Sequence, residues 1–381
     1  MKIGIPTEIR EYEYRVAITP EVVKKIVSLG CEVLVQTGAG LSADIMDEAY
    51  TQAGAKLGTA NEVFACSLIL KVRTPEPKEI TAMKAGTVII GMLEPFNQTS
   101  LQAMSKQGLT AFSLELLPRN TRAQSMDVLS SQANIAGYKS ALLASHYYRH
   151  FMPMLMTAAG TVKAARVLVL GAGVAGLQAI ATARRMGAVI EASDVRPAVK
   201  EQIESLGAKF LDVPYETEEE VKIAAGEAGY ARAMPESWMK RQAELVAKRA
   251  KESDIIITSA LIPGREPPVL LSAEVVQSMK LGSVVVDLAA GVGKDGSGNC
   301  PLTVANEVVV KHGVTLVGYT NVPSLVSADA SSLYAKNVFE FLKLMVTDDA
   351  KLNLSKEDEL VKACLLCENG NISKNMNKET P

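Results

Sequence analysis

Aromatic residues are scarce, 5% of the 381-residue chain with a single Trp, so any large core has to be aliphatic. That is the composition of a parallel α/β sheet covered on both faces. Charge of one sign is lacking too: 40 Lys and Arg against 42 Asp and Glu leave a net charge of −2. Such a balance argues against a nucleic-acid or acidic-membrane surface. No apolar run reaches the ~20 residues that span a bilayer. Met1-Lys2-Ile3-Gly4-Ile5-Pro6 enters a strand directly and leaves no signal peptide. The five cysteines, at 31, 66, 300, 364 and 367, are too scattered for a disulfide framework, which fits a reducing cytoplasm. Cys364 and Cys367 form a C-x-x-C with no second pair and no βαβ context, so neither metal nor redox chemistry is expected of them. There are three histidines: His146 and His150 fall on an expected helix and His312 in a Lys-His-Gly turn, with surface roles.

What the chain does have is one dinucleotide fingerprint. Arg166-Val167-Leu168-Val169-Leu170 is a short apolar, β-branched run, followed by Gly171-Ala172-Gly173-Val174-Ala175-Gly176 and an Ala-rich helical stretch. A second strand then ends in Asp194, 18 residues past Gly176, close to the ~20 at which an acid meets the adenosine ribose. Gly171 permits the tight turn and Gly173 leaves room for a pyrophosphate. Gly176 lets helix and strand approach, and the helix start offers free N–H groups. A carboxylate at Asp194 repels a 2′-phosphate, so NAD(H) is expected over NADP(H); Arg196 tempers that preference by local pairing.

The length suggests two domains. Strands are expected at residues 2–6, 32–36, 67–72, 87–92 and 110–113, with helices between them, the first at 21–29 with Thr19 as N-cap. Residues 8–14 read as a charged loop. A long helical pattern covers 121–150, and residues 158–161 loosen the chain before the nucleotide domain. That domain continues through strands at 209–213, 255–258, 284–288 and 315–317. Residues 324–345 are helical again, and the tail from Glu368 reads as a frayed end. The fold class is therefore α/β: two doubly wound Rossmann-like domains with parallel sheets, joined by long helices. Residues 1–130 plus 322–381 would form the first domain and 136–318 the NAD(H)-binding one.

Three further stretches could carry chemistry. In the polar segment 119–132, Arg119, Gln124, Asp127 and Ser130 offer a cation, an amide, a carboxylate and a hydroxyl able to orient a carboxamide and ribose. The plain alternative is that Ser125 or Asp127 caps the next helix. Residues 224–231, two glycines and small residues around Tyr230, suggest a flap that closes on a cofactor. Thr258-Ser259-Ala260-Leu261-Ile262-Pro263-Gly264, directly after an apolar strand, would pass the nicotinamide side of the nucleotide.

Most of the chain, to about Met345, resembles the NAD(H)-binding domain I (alpha-1) subunits of proton-translocating transhydrogenase, in the alanine dehydrogenase/transhydrogenase family. The most specific segment is Arg122-Ala123-Gln124-Ser125-Met126-Asp127, continued through Gly137-Tyr138. Residues 171–177, Gly229-Tyr230-Ala231, Ala260-Leu261-Ile262-Pro263-Gly264 and Asn321-Val322-Pro323-Ser324 match as well. The turn Lys294-Asp295-Gly296-Ser297 and the tail depart from the pattern. The resemblance implies that Arg119, Gln124, Asp127 and Ser130 surround the nicotinamide and its ribose. It gives Val174, Asp194, Val195 and Arg196 to the adenosine half, Gly229 and Tyr230 to a mobile loop, and Gln242 and Leu261 to the lining. It also implies Re/Si-specific hydride transfer to NADP(H) on a partner component, a membrane-spanning partner that moves protons, a homodimer, and a peripheral place on the cytoplasmic face of the membrane.

The related alanine dehydrogenases are the rival enzyme, and a non-catalytic NAD sensor is the rival outside enzymes. Arg15 and Lys71 stand where that dehydrogenase family holds its substrate. Deamination also needs a positioned acid/base such as His with Asp. The strand end for the His reads Gly91-Met92-Leu93-Glu94, and the place for the Asp, after Val286-Asp287-Leu288-Ala289-Ala290, is Gly291. Both acid/base positions are empty. Hydride transfer between two nicotinamide rings needs placement rather than a proton shuttle.

Overall fold

A computed structural model describes residues 1–224, 234–261, 264–293, 295–347, 349–354 and 357–373. The chain divides into two compact units, Met1–Gln132 with Pro323–Pro381, and Ala133–Val322. Mixed α/β architecture with parallel-dominated sheets holds in both.

In the first unit six strands run parallel: β1 (Lys2–Ile5), β2 (Glu32–Gln36), β3 (Lys56–Gly58), β4 (Leu68–Arg73), β5 (Val88–Met92) and β6 (Thr110–Ser113). Successive residues enter different clusters. Ile3, Ile5, Leu68, Leu70 and Ile90 pack on one side, and Leu34, Ile69, Ile89 and Ala111 on the other. Helix α1 (Pro20–Ser28) follows Thr19, whose hydroxyl caps nothing and lies buried without a hydrogen bond. The expected cap therefore fails, and Pro20 alone sets the helix start. The helical pattern expected from residue 121 begins only at α2 (Val128–Tyr147), since residues 124–126 form a 3₁₀ turn; His150 lies beyond its end.

The second unit carries two strands that the sequence pattern does not reveal, β7 (Leu155–Thr157) and β8 (Gly160–Val162), a hairpin where a loosened chain is expected. Its sheet is built from β9 (Arg166–Leu170), β10 (Val189–Ser193), β11 (Lys209–Phe210), β12 (Ile255–Thr258), β13 (Val284–Asp287), β14 (Val308–Lys311) and β15 (Val314–Val317), in the order β11-β10-β9-β12-β13-β15-β14. All pairs are parallel except β14 with β15. His312 and Gly313, at φ 52° and 75°, turn that last hairpin.

The chain then returns to the first unit through α5 (Ser327–Leu342), numbered after α3 (Val174–Arg185) and α4 (Glu236–Ala250) of the second unit. The tail departs from the frayed end expected of it. Strands β16 (Leu365–Glu368) and β17 (Asn371–Ile372) join the first sheet, in the order β17-β16-β6-β5-β4-β1-β2-β3. Asn369-Gly370, both at positive φ, is the hairpin turn that the polar composition obscures. Cys364 and Cys367 are buried in different apolar clusters, and burial pushes the Cys367 thiol up to about 11.

Candidate functional site

In the second sheet the strand order reverses between β9 and β12, and in a doubly wound sheet the crevice at such a reversal takes the ligand. The glycine turn lies there. Gly171 has φ +93° and donates its N–H to the Ser193 carbonyl at 2.9 Å. A Cβ on Gly176 would come 1.9 Å from the Gly171 oxygen, so this glycine serves the helix-to-strand contact. Gly173 differs: its φ of −74° suits any residue, and the nearest atom to a Cβ there is Arg196 Nη2 at 4.0 Å. Nothing among the described residues needs a glycine at 173. The open space lies beside the start of α3, which no side chain caps, where a pyrophosphate fits. A further close approach comes from Gly137 on α2, where a Cβ would stand 2.0 Å from the Ala175 oxygen.

Asp194 follows β10 with its carboxylate fully engaged by the protein. Oδ2 accepts from the Ala172 N–H at 2.7 Å and from Arg196 Nη2 at 2.9 Å. Oδ1 accepts from the Arg196 backbone N–H and from its Nε, both at 2.9 Å. The hydrogen bond from Asp194 holds the Arg196 guanidinium above its ordinary value. The local pairing expected of Arg196 is thus formed, and acid and guanidinium act as one clamp beside Gly173. Val195 packs with Val213, Met234 and Trp238. Gln242, buried on α4, donates through Nε2 to Ser193 Oγ at 3.5 Å. Val174 and Leu261 are exposed. The structure therefore brings Gly171, Gly173, Val174, Gly176, Asp194, Val195, Arg196 and Gln242 to one end of the sheet, with Leu261 just past β12. Gly229 and Tyr230 lie outside the described residues, as do Ile262 and Pro263.

Sequence reasoning misses a buried hub in this unit. Asp287, at the end of β13, accepts five hydrogen bonds. Thr258 Oγ1 and the Ala289 N–H meet Oδ1 at 2.9 and 3.0 Å; the N–H groups of Asn299 and Cys300 and Thr303 Oγ1 meet Oδ2 at 2.9, 3.0 and 3.3 Å. Burial still pushes its carboxyl upward. An acid closing an apolar strand, Val-Val-Val-Asp, is the available signal.

The polar loop belongs to the first unit. Arg119 and Gln124 are exposed. Asp127 receives the Ser130 N–H at 2.9 Å and the Ser130 hydroxyl at 2.6 Å, which makes it the cap of α2. Arg122 pairs with Asp358.

Arg15 and Lys71 are buried in the same unit, and the loop that reads as merely charged supplies their counter-ions. Arg15 meets the Glu13 carboxylate at 2.6 and 2.7 Å and Gln132 Oε1 at 2.8 Å. Lys71 meets Glu79 at 2.8 Å and Glu8 at 3.2 Å. Burial works against charge on Lys71, but Glu8 and Glu79 hold its ammonium above the ordinary value. At the end of β5 the titratable group is Glu94, at φ 50°, paired with Arg10 and with Arg73 at 3.1 Å. Partial burial raises its carboxyl, but Arg10 and Arg73 prevail and hold it below the usual range. At Gly291, φ +82°, a Cβ would lie 2.5 Å from Thr320 Cγ2, so a larger side chain there meets both strain and a clash.

Residues 4–136 match the family model described as alanine dehydrogenase/PNT, N-terminal domain, and residues 140–375 that described as the C-terminal domain. The chain is 49% identical to the first portion of the NAD(P) transhydrogenase subunit alpha of Rhodospirillum rubrum, a separate polypeptide there, over 98% of this chain and 97% of that one. It is 27% identical to alanine dehydrogenase 1 of Staphylococcus aureus, over 94% and 91%. The solved transhydrogenase structure from Sinorhizobium meliloti superposes with a TM-score of 0.84 at 46% identity, covering 98% of both chains.

Proposed function

The chain belongs to the alanine dehydrogenase/PNT family, and we propose that it is the NAD(H)-holding component of a proton-translocating, Re/Si-specific transhydrogenase. Bound NAD(H) supplies the hydride chemistry; the protein supplies binding, orientation and electrostatics. The turn from Gly171 to Gly176, with the uncapped start of α3, holds the pyrophosphate. Asp194 and Arg196 hold the adenosine half, with Val174, Val195, Gln242 and Leu261 as lining. Arg119, Gln124, Asp127 and Ser130 serve the hydride step, and Gly229 and Tyr230 belong to a closing loop. One fingerprint holds one dinucleotide, so NADP(H) is brought by a partner component. No helix among the described residues is long and apolar enough to cross a membrane, so proton movement falls to a membrane-spanning partner. A homodimer lying peripherally on the cytoplasmic face completes the reading.

The observation that carries hydride exchange over amino-acid deamination is the state of the two acid/base positions. Glu94 is fixed as a carboxylate between two guanidinium groups, and Gly291 has no space for a side chain. A carbinolamine needs protons delivered and removed, whereas hydride exchange needs only placement. The test mixes the protein with a transhydrogenase NADP(H)-binding component and follows reduction of an NAD⁺ analogue by NADPH. Exchange is expected, with no alanine-dependent reduction of NAD⁺ by the protein alone. Brisk alanine turnover would overturn the reading, and NADH binding without exchange would leave a sensor.

A further inference from the structure

A hydrogen-bonded relay runs from the end of β13 to the glycine turn. Asn299, fully buried, clamps the Ala260 backbone on both sides. Its Oδ1 accepts the Ala260 N–H at 3.1 Å and its Nδ2 donates to the Ala260 oxygen at 2.9 Å, while Nδ2 also donates to the Pro268 oxygen at 2.8 Å. Asp287 fixes the Asn299 backbone through Oδ2 and the Thr258 hydroxyl through Oδ1, so one carboxylate holds the segment after β12 at its root and Asn299 holds it further out. On the other side, Ser259 Oγ donates to the Gly171 oxygen at 2.9 Å, and a Cβ on Gly171 would stand 3.0 Å from that hydroxyl and 3.2 Å from the Ala260 nitrogen. Residues 259–261 thus form one wall of the crevice, pressed against the turn, with exposed Leu261 at the rim.

We propose that Asn299, braced by Asp287, is a positioning residue for the dinucleotide: it fixes the wall at residues 259–261 at the distance from the glycine turn that NAD(H) requires. The inference rests on the NAD(H) reading above and adds residues outside the glycine fingerprint. An amide is suited to the task because the Ala260 peptide presents a donor and an acceptor, and a side-chain amide answers both in one plane. A carboxylate would answer only the donor and repel the Ala260 and Pro268 oxygens.

The test compares Asn299→Asp with Val314→Ala, a core truncation at the other, N-terminal end of a parallel strand of the same unit. NADH affinity is read by fluorescence titration and stability by thermal melting. Asn299→Asp should weaken NADH binding roughly tenfold or more, from buried oxygens left without donors. Val314→Ala, even with a larger fall in Tm, should bind within about twofold of the parent, since its cavity lies away from the crevice. Ser259→Ala, a single hydroxyl deletion that keeps the result decisive if Asn299→Asp does not fold, should weaken binding about threefold to tenfold. Parent-like affinity in Ser259→Ala and Asn299→Asp, or affinity that merely tracks Tm across all variants, would overturn the proposal. Hydride exchange is measured separately. A parent protein that binds NADH without exchange defeats the transhydrogenase reading while the affinity comparison still judges Asn299.

Discussion

Replacing Gly173 with Ala separates what the fold needs from what the ligand needs. The backbone there, φ −74° and ψ −166°, is open to any residue, and the new methyl would find no described protein atom closer than 4.0 Å. Folding should therefore gain the usual ~0.4–1 kcal/mol from a stiffer unfolded chain. For a unit of this size that raises Tm by no more than a few degrees. Binding should move the other way, because the methyl fills the approach to the first-turn amides of α3. A charge-assisted hydrogen bond contributes ~1.5–3 kcal/mol, so losing two weakens NADH binding about 10²- to 10⁴-fold. Gly176→Ala is the contrast. Its methyl would sit 1.9 Å from the Gly171 oxygen, so Tm and affinity should fall together. Thermal melting and NADH fluorescence titration on both variants decide the matter. Parent-like NADH affinity in Gly173→Ala would refute the reasoning, because the free space would then serve no pyrophosphate.

Asp194→Ala removes the carboxylate and releases Arg196 from its clamp, so NADH should bind about tenfold more weakly and NADPH more tightly; titration with both coenzymes checks the reversal. Gln124→Asn keeps the amide on an exposed side chain but shortens its reach, so single-turnover hydride transfer with the NADP(H)-binding component should slow at least tenfold, with the Kd for NADH changing far less. Glu94 has a folded-state carboxyl held below its ordinary value of 4.5. The unfolded chain then binds the extra proton first, so this group's stabilisation is complete above that value and is lost as pH falls below it. Glu94→Gln should flatten that acid limb in urea titrations run at several pH values, whereas an unchanged slope would remove Glu94 as its source.

The glycine turn was legible because each glycine answers a local demand, and the apolar strands were legible because burial on both faces writes continuous β-branched runs. Asn369-Gly370 shows how a local signal can be overlooked: its turn residues were present, but β16 finds its pairing partner in β6, more than 250 residues away. The charged loop before Arg15 was opaque for a similar reason. Glu8 and Glu13 read as solvated until burial with Lys71 and Arg15 makes them counter-ions.

By itself the sequence determined the fold class, the site of dinucleotide entry and the lack of an acid/base pair, since these depend on residue type and short-range spacing. Tertiary structure alone decided that Gly173 is free of its own protein, that Asp194 is already bound by Arg196, and that Asp287 and Asn299 brace the crevice wall. Those facts depend on which atoms approach across strands far apart in the chain, and spacing along a sequence carries no record of that.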